Sequence, residues 1–215
     1  MRWVYFGTNE LGRRVLDWVA DRDESPVCTI EDLTSVHQVK AHHADMGVSI
    51  GYRHKFTPDI IDAFPDGIVN LHTGFLPWNR GAYPNVWPII DDSPAGVTLH
   101  YVDEGLDTGD IIAQDILRVH DHDTAYTLYQ NLETAGVHLF QRVWLTLQHG
   151  RVPAHPQSGP GSFSLKSDLR QLDTADLDEI SARDLLNQLR ARTFPGHKGV
   201  TINGTVYRIA AEPAV

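Results

Sequence analysis

An amide and an imidazole stand two positions apart in the middle of the chain, at Asn70 and His72. Alternate side chains of a β-strand point to the same face, so the two groups are predicted to share one small volume. A positioned histidine accepts a proton from an attacking amine, and an amide N–H stabilises the oxyanion that forms on a carbonyl. The pair therefore favours acyl transfer by direct attack of an amine, without a covalent enzyme intermediate.

A second polar cluster is the acidic loop, residues 103–110 (Asp-Glu-Gly-Leu-Asp-Thr-Gly-Asp), which follows a predicted strand. Turns rich in Asp and Gly commonly connect strands, and that interpretation stays open. In the alternative, one carboxylate of the loop faces His72, fixes the orientation of the ring and stabilises its protonated form. The pattern alone does not choose among the carboxylates.

Other kinds of catalysis receive less support. The only cysteine, Cys28, lies in no recognisable nucleophile context, and the glycines of residues 7–12 lack the spacing of a dinucleotide-binding loop. His120-Asp121-His122-Asp123 contains two imidazoles, but we favour a polar loop that caps a helix, because no cysteine or His-x-x-x-His motif accompanies it. We therefore predict a reaction without a metal.

Composition limits the partners of the protein. The 215 residues include 28 acidic and 18 basic ones, a net charge of -10, which works against binding nucleic acid. No apolar run approaches the roughly 18 residues of a membrane span. A single cysteine and a first segment without a secretion signal favour a cytoplasmic protein. We expect neither a membrane nor a nucleic acid as partner.

Strands and helices alternate along the first half of the chain, which predicts an α/β protein with an open, mostly parallel sheet. In such sheets ligands bind beyond the carboxyl ends of the strands, and Asn70 and His72 lie at one of these ends. The predicted strands are residues 2–6, 26–30, 48–51, 67–71, 98–102 and 111–119. Helices are predicted after the first strand and at residues 32–45, 58–64 and 123–147.

The second part of the chain is predicted to be smaller and separate. Three prolines and two glycines in residues 151–161 favour a surface linker. A helix is predicted from Ser181 to Arg192, followed by a β-hairpin, residues 200–207, whose Asn203-Gly204 pair suits a type I′ turn. We therefore divide the chain into a catalytic domain, residues 1–150, and a small C-terminal segment, residues 151–215.

Several motifs together resemble one enzyme family. They are Asn70-x-His72, Leu76-Pro77-x-x-Arg80-Gly81, Gly96-Val97-Thr98 and Gly105-Leu106-Asp107-Thr108-Gly109-Asp110. These residues are similar to those of the formyltransferases that use 10-formyltetrahydrofolate, over roughly residues 1–120. The resemblance implies a Rossmann-like sheet, here one βα unit shorter than the fuller family pattern.

The resemblance also implies roles for individual residues. Asn70 would polarise the formyl carbonyl, His72 would transfer the proton of the amine, and Asp107 would hold and tune His72. The formyl donor, 10-formyltetrahydrofolate, would place its pterin against two short segments. These segments are Gly51-Tyr52-Arg53-His54 and the turn with Asp103, Gly105 and Leu106.

Finer similarity points to the acceptor. Residues 51–54, 76–82 and 84–87 and the tail segment 189–195 resemble the bacterial sugar N-formyltransferases, which act on nucleotide-linked amino sugars. We expect Trp78, Asn79 and Arg80 to contact a substrate. The shortened sheet leaves the acceptor open, and an amine that is not a sugar remains an alternative.

Three other functions stay open at this stage. A formyltetrahydrofolate hydrolase would use water in place of the amine, and a methionyl-tRNA formyltransferase would share the catalytic core but carry a large C-terminal barrel. A folate- or nucleotide-binding module would keep the fold without turnover. The sequence does not give the oligomeric state, and the hairpin suits either pairing across a homodimer or covering its own subunit.

Overall fold

The structure, a computed structural model, describes residues 1–32, 35–197 and 199–209. The strands are β1 (Trp3–Phe6), β2 (Cys28–Ile30), β3 (Met46–Ser49), β4 (Ile68–His72), β5 (Arg80–Gly81), β6 (Ala95–Tyr101), β7 (Ile111–Leu117), β8 (Phe163–Ser164), β9 (Val200–Ile202) and β10 (Thr205–Tyr207). The helices are α1 (Glu10–Ala20), α2 (Val36–Lys40), α3 (Pro58–Ile61), α4 (Trp87–Asp91), α5 (Ala125–Leu147) and α6 (Ala182–Ala191), with a 3₁₀ helix at Lys166–Leu172.

Six strands form a central mixed sheet in the order β2-β1-β3-β4-β6-β7. Strands β1 to β4 are mutually parallel, whereas β6 runs antiparallel to β4 and β7 antiparallel to β6. The predicted Rossmann-like, mostly parallel sheet is thus confirmed. The two reversals also bring the end of β7, and with it the start of α5, to the sheet edge at which β4 ends.

Two apolar layers cover the sheet. The larger one packs α1 and α5 on one face and includes Leu11, Leu71 and Phe140, and the smaller one packs α2 and α3 on the other face around Phe6. Helix α5 begins where predicted, because the Thr124 side chain accepts a hydrogen bond from the Thr127 backbone N–H. Its buried side includes Leu128, Leu132, Leu139 and Leu147, which recur at helical spacing.

The helix predicted at residues 32–45 is shorter than expected. It extends only from Val36 to Lys40, and residues 33 and 34 lie outside the described chain. The backbone N–H of Asp45 already donates to the carbonyl of Arg2, at 2.7 Å, so the chain joins the sheet at this point and cannot remain helical. For the same reason β3 begins at Met46, two residues before its predicted start.

The segment predicted as a surface linker, residues 151–161, makes defined contacts with the catalytic half. His155 and Ile111 exchange backbone hydrogen bonds of 2.8 and 3.0 Å, and the Gln157 side chain reaches the acidic loop. A composition rich in proline and glycine therefore reflects here an extended strap rather than a free connection.

The C-terminal segment packs on the catalytic half. Leu169, Leu172 and Ala191 belong to the larger core layer, and the Arg190 guanidinium donates to the carbonyls of His120 and Asp123, both at 2.7 Å. In the hairpin β9-β10, Asn203 and Gly204 have φ of 48° and 78°, as a type I′ turn requires. The division at residue 150 stays a prediction. No helix within the described ranges has the length and apolarity of a membrane span.

Candidate active site

Asn70 and His72 lie at the carboxyl end of β4, and their side chains share the predicted face. Antiparallel pairing of β4 with β6 places His100 directly opposite Asn70. The Asn70 Nδ2 atom lies 3.1 Å from His100 Nε2. The site therefore contains a second imidazole that sequence inspection did not single out.

The state of His100 determines the orientation of the Asn70 amide. Burial lowers the pKa of His100 from 6.5 to about 4, so the ring is neutral near neutral pH. Its Nδ1 atom lies 2.8 Å from the Tyr101 carbonyl, which only accepts, so Nδ1 carries the proton. His100 Nε2 must then accept from Asn70 Nδ2. The second hydrogen of Nδ2 is left for a ligand.

His72 is oriented in a comparable way. Its Nε2 atom lies 2.8 Å from the Asn79 carbonyl, which fixes the donated proton on Nε2. The lone pair of the neutral ring is therefore on Nδ1, 3.7 Å from Asp107 Oδ2. A proton accepted at Nδ1 would form an imidazolium facing a carboxylate. This geometry suits a general base whose charged form is stabilised electrostatically.

Asp107 occupies a constrained position in the acidic loop. Its φ of 55° is in the left-handed region, and its Oδ2 atom accepts a hydrogen bond of 2.9 Å from the Gly81 N–H. The other oxygen, Oδ1, lies 3.8 Å from His100 Nε2. A Cβ on Gly109 would lie 1.9 Å from the Tyr101 carbonyl oxygen, so only glycine allows the close return of this loop to β6.

A side-chain bridge holds the acidic loop from outside. The Gln157 amide donates to the carbonyls of Asp107 and Gly109, at 2.9 and 2.8 Å. Arg80 in turn donates to the Gln157 side-chain oxygen through Nε and Nη2, at 3.0 and 2.6 Å. Arg80 thus braces the loop that carries Asp107. Gln157 lies in the strap and had no motif to mark it in the sequence.

Two cavities meet at Asn70 and Asp107. The inner cavity, about 460 Å³ including space that opens to solvent, is lined by residues that include Ser49, Tyr52, Phe56, His100 and Asp103. The outer cleft, about 1120 Å³ including space that opens to solvent, is lined by residues that include Leu11, His72, Ala82, Pro84 and Lys166. Both also contain Tyr52, Asn70, Leu106 and Asp107. A group held in one cavity therefore meets a group held in the other at Asn70.

The residues predicted to hold the pterin are divided between these cavities. Tyr52, His54, Asp103, Gly105 and Leu106 line the inner cavity. Gly51 and Arg53 line the outer cleft instead. Asp103 shapes the acidic loop, because it accepts hydrogen bonds from the Gly105 N–H at 3.0 Å and the Thr108 hydroxyl at 2.6 Å.

The three predicted substrate-contact residues, Trp78, Asn79 and Arg80, do not line either cavity. Asn79 is 1% exposed, its amide donates to the Pro94 carbonyl at 2.9 Å, and its side-chain oxygen accepts from Ser93 at 3.2 Å. This arrangement favours a role for Asn79 and Arg80 in supporting the site rather than in touching a substrate.

A Gly-x-Ser-x-Gly pattern does occur in the chain, at residues 47–51, although a serine nucleophile is not what the structure favours. Ser49 lies inside β3, paired with Phe6 and Asn70, rather than on the sharp strand-to-helix turn of a nucleophile elbow. No hydrogen bond joins its hydroxyl to a histidine within the described residues. Nor is any group of three or more His, Cys, Asp or Glu side chains arranged there to hold a metal ion.

Comparison with known proteins places the chain in a class. A family model described as Formyl transferase matches residues 28–144, more than half of the chain. The chain therefore belongs to the formyl transferase family, in agreement with its sheet.

Individual relatives differ in their acceptors. The dTDP-4-amino-4,6-dideoxyglucose formyltransferase of Mycobacterium bovis is 35% identical over 69% of this chain and 63% of its own length. The methionyl-tRNA formyltransferase of Pelotomaculum thermopropionicum is 33% identical over 74% of this chain and 51% of its own length. The chain thus spans between half and two thirds of these curated relatives.

Solved structures match over nearly the whole chain. A Mycobacterium tuberculosis protein assigned to the sugar N-formyltransferases superposes with a TM-score of 0.90 at 25% identity, covering 100% of this chain and 99% of that one. The formyltransferase PseJ of Anoxybacillus kamchatkensis, solved with a formamido nucleotide sugar and tetrahydrofolate, gives 0.74 at 30% identity, covering 89% and 98%.

Proposed function

We propose that the protein transfers a formyl group from 10-formyltetrahydrofolate to the primary amine of a nucleotide-linked amino sugar. The observation that carries this proposal is the junction of two cavities at Asn70 and Asp107, with His72 on the outer side. Transfer of a group between two bound molecules requires that both binding sites open onto the same residues. Membership of the formyl transferase family indicates that the transferred group is a formyl group.

The side chains fit the individual steps. The amine nitrogen attacks the formyl carbon, and the free N–H of Asn70 stabilises the oxyanion. His72 accepts the ammonium proton at Nδ1, and Asp107 stabilises the resulting imidazolium. A C–N bond to the amine forms, the bond to the folate nitrogen breaks, and the proton on His72 passes to that leaving nitrogen. Amine and donor become formamide and tetrahydrofolate, without a covalent enzyme intermediate.

The inner cavity suits the donor. Tyr52 and Phe56 provide aromatic walls with their ring centroids 5.0 Å apart, and Asp103, Gly105 and Asp107 of the acidic loop also line the cavity. A planar pterin with several donors and acceptors matches this combination. The PseJ structure contains tetrahydrofolate, which supports the same assignment.

The outer cleft suits an anionic acceptor. Arg53 and Lys166 line it, and Asp107 at the catalytic end is the only carboxylate among its described lining residues. These two cations make the cleft locally positive although the chain has a net charge of -10. A positive cleft favours binding of a negatively charged group such as a diphosphate. The relative from Mycobacterium bovis is named for a dTDP-linked amino sugar, in keeping with this acceptor class.

The test is an assay with 10-formyltetrahydrofolate and a panel of nucleotide-linked amino sugars. Tetrahydrofolate release is followed spectroscopically, and N-formyl products are identified by mass spectrometry. We expect one sugar to yield a formamide in amounts equal to the tetrahydrofolate released. Release without any formylated amine would indicate the hydrolase, and folate binding without release would indicate a binding module.

Two further assignments are proposals of the same kind. We place the reaction in the cytoplasm, as the sequence predicts. A homodimer through the hairpin is supported by Val206 and Tyr207, which are about half exposed on β10. Sedimentation at increasing protein concentration tests the dimer, and a monomer at all concentrations would contradict it.

A further inference from the structure

One segment that lines the outer cleft is also bonded to the chain that orients His72. Residues 164–166 line the cleft. Together with the two residues before them they form one continuous segment, in which β8 pairs in parallel with β5. We call residues 162–166 the cleft wall.

Ser162 attaches the cleft wall to the chain that follows β4. Its Oγ atom accepts a hydrogen bond of 2.8 Å from the backbone N–H of Asn79. Its own N–H donates to the Pro77 carbonyl, and its carbonyl accepts from the Arg80 N–H, both at 3.1 Å. A single residue of the wall therefore bonds to three of the four residues at positions 77–80.

Asn79 connects this attachment to the catalytic base. Its carbonyl lies 2.8 Å from His72 Nε2 and keeps the proton of the neutral ring on that nitrogen. Its φ of 59° lies in the left-handed region, which is costly for a residue with a Cβ and persists where neighbouring contacts hold it. The Ser162 hydroxyl supplies one of these contacts. Ser162 thus helps to fix the peptide that selects the tautomer of His72.

The cleft wall is also bonded next to the support of Asp107. The Ser164 carbonyl accepts a hydrogen bond of 2.8 Å from the N–H of Ala82. The preceding N–H, that of Gly81, donates to Asp107 Oδ2 at 2.9 Å. A displacement of the wall would therefore disturb the partners of both His72 and Asp107.

Hydrogen bonds rather than apolar packing hold the cleft wall. The side chains of Phe163 and Leu165 are 51% and 53% exposed. Gly159 and Gly161, which lead into the wall, have φ of 92° and 61°, and a Cβ on Gly159 would meet nothing within 4 Å. Segments with few buried apolar contacts open at a low cost in free energy. A ligand that binds only when the hydrogen bonds of the wall are formed shifts this local equilibrium toward the closed state.

We infer that the cleft wall couples acceptor binding to the catalytic base, with Ser162 as the positioning residue of His72. The diphosphate of the acceptor binds beside Ser164 and Lys166 and stabilises the wall. Ser162 then holds the Asn79 carbonyl on His72 Nε2, which leaves Nδ1 free to accept the proton of the amine. The inference rests on the proposed function for the chemistry of the acceptor.

Nuclear magnetic resonance of protein with isotope-labelled histidine tests the link to His72. The signals of the two ring nitrogens report which of them carries the proton, and His72→Asn identifies the signals of this ring. We expect the Nε2–H form in the wild type and a mixture of both forms in Ser162→Ala. Ser162→Thr keeps the hydroxyl and should restore the single form. Ser158→Ala, at an exposed serine of the strap, is the matched control and should resemble the wild type.

The same variants are compared in the formyl transfer assay. Ser162→Ala should lower kcat roughly tenfold through misplacement of the base, with the KM of the donor unchanged. Ser162→Thr should recover the wild-type kcat, which a general loss of structure on substitution would not allow.

Hydrogen exchange with and without inorganic pyrophosphate tests the link to the cleft. At about ten times its dissociation constant, pyrophosphate should slow exchange of the Asn79 and Arg80 amides roughly tenfold, because only the closed wall binds it. The control is the amide of Val27, which donates to the Trp3 carbonyl at the opposite end of the sheet and should exchange at an unchanged rate.

The wild-type tautomer and kcat in Ser162→Ala would overturn the role of Ser162. Unchanged exchange at Asn79 and Arg80 in millimolar pyrophosphate would overturn the coupling, and this measurement decides alone should Ser162→Ala fail to fold. Neither the tautomer nor the exchange rate requires turnover. A Ser162-dependent tautomer without any formylated sugar would therefore support the positioning role and refute only the proposed function.

Discussion

Two backbone carbonyls determine which nitrogen of each imidazole in the site carries a proton. The Asn79 carbonyl fixes the proton of His72 on Nε2, and the Tyr101 carbonyl fixes that of His100 on Nδ1. His72 consequently presents its basic nitrogen toward Asp107, whereas His100 presents its own toward the Asn70 amide. Identical side chains thus receive different roles, one as proton acceptor and one as a positioning residue.

His72→Asn should remove the general base and leave the donor site intact. We expect kcat to fall by roughly 10²- to 10⁴-fold, the usual contribution of a positioned acid–base group. Folate affinity should stay near the wild-type value, because His72 lines the outer cleft and not the inner cavity. Stopped-flow measurement of tetrahydrofolate release and a fluorescence titration with folate test the two parts.

The control for this variant is His138→Asn on the exposed side of α5, which makes the same chemical change away from the site. It should leave kcat unchanged. Turnover at the wild-type rate in His72→Asn would exclude His72 from the mechanism.

His100 should make the protein sensitive to acid. Burial lowers its pKa to about 4, below the value of 6.5 in an unfolded chain. Between these two pH values the unfolded state binds a proton that the folded state does not, so the free energy of unfolding declines as the pH falls. Over the whole window the loss is about 3 kcal/mol.

Urea unfolding at pH 7 and pH 4, for the wild type and for His100→Gln, measures this effect. Glutamine does not titrate, so the variant should lose less stability between the two pH values than the wild type. Titrating groups remote from His100 cancel in the comparison, whereas Asp107 and His72 interact with it directly. Equal pH dependence of the two proteins would show that His100 is not held neutral by burial.

At the scale of elements, local pattern and long-range pairing contribute different information. Strands β1 and β4 and helix α5 are predictable because short apolar runs, helical spacing and a Thr124 cap are properties of neighbouring residues. The antiparallel direction of β6 is not, since it depends on pairing across thirty positions between Asn70 and His100. His100 escaped prediction for this reason.

The strap, residues 151–161, shows the same limit. Its composition correctly indicates a segment without regular structure, but composition does not reveal that Gln157 bonds to the loop of Asp107. The shared face of Asn70 and His72 was predictable because a spacing of two on a strand is a local property. The position of Gly51 and Arg53 in the outer cleft rather than the inner cavity was not predictable. It depends on how separate loops meet in the folded chain.

Gln157→Glu should loosen the acidic loop. The carboxylate still accepts from Arg80 but no longer donates to the carbonyls of Asp107 and Gly109. We expect kcat to fall roughly ten- to a hundredfold through misplacement of Asp107, with little change in acceptor KM. Hydrogen exchange at the amides of residues 103–110 should become faster.

Gln130→Glu, on the exposed side of α5, introduces the same charge elsewhere and is the control. An equal loss of kcat in this control would assign the effect to charge. Unchanged kcat and exchange in Gln157→Glu would show that the bridge does not position Asp107.

At the scale of the whole molecule, the distribution of charge separates small acceptors from tRNA. A small acceptor in the outer cleft lies within a few ångströms of Arg53 and Lys166, where their attraction is not screened. A tRNA extends over a surface whose net charge is -10, and beyond about 8 Å salt screens any single lysine at physiological ionic strength. The protein should therefore bind tRNA weakly despite its similarity to methionyl-tRNA formyltransferases.

We expect no measurable formylation of initiator methionyl-tRNA under conditions in which a nucleotide-linked amino sugar is turned over. Lowering the salt concentration should not rescue the tRNA reaction, because weaker screening strengthens the repulsion of the acidic surface as well as the local attraction. Transfer of a radiolabelled formyl group, measured at low and physiological salt, checks this. Comparable kcat/KM values for the two acceptors would instead mean that the two cleft cations outweigh the net charge of the chain.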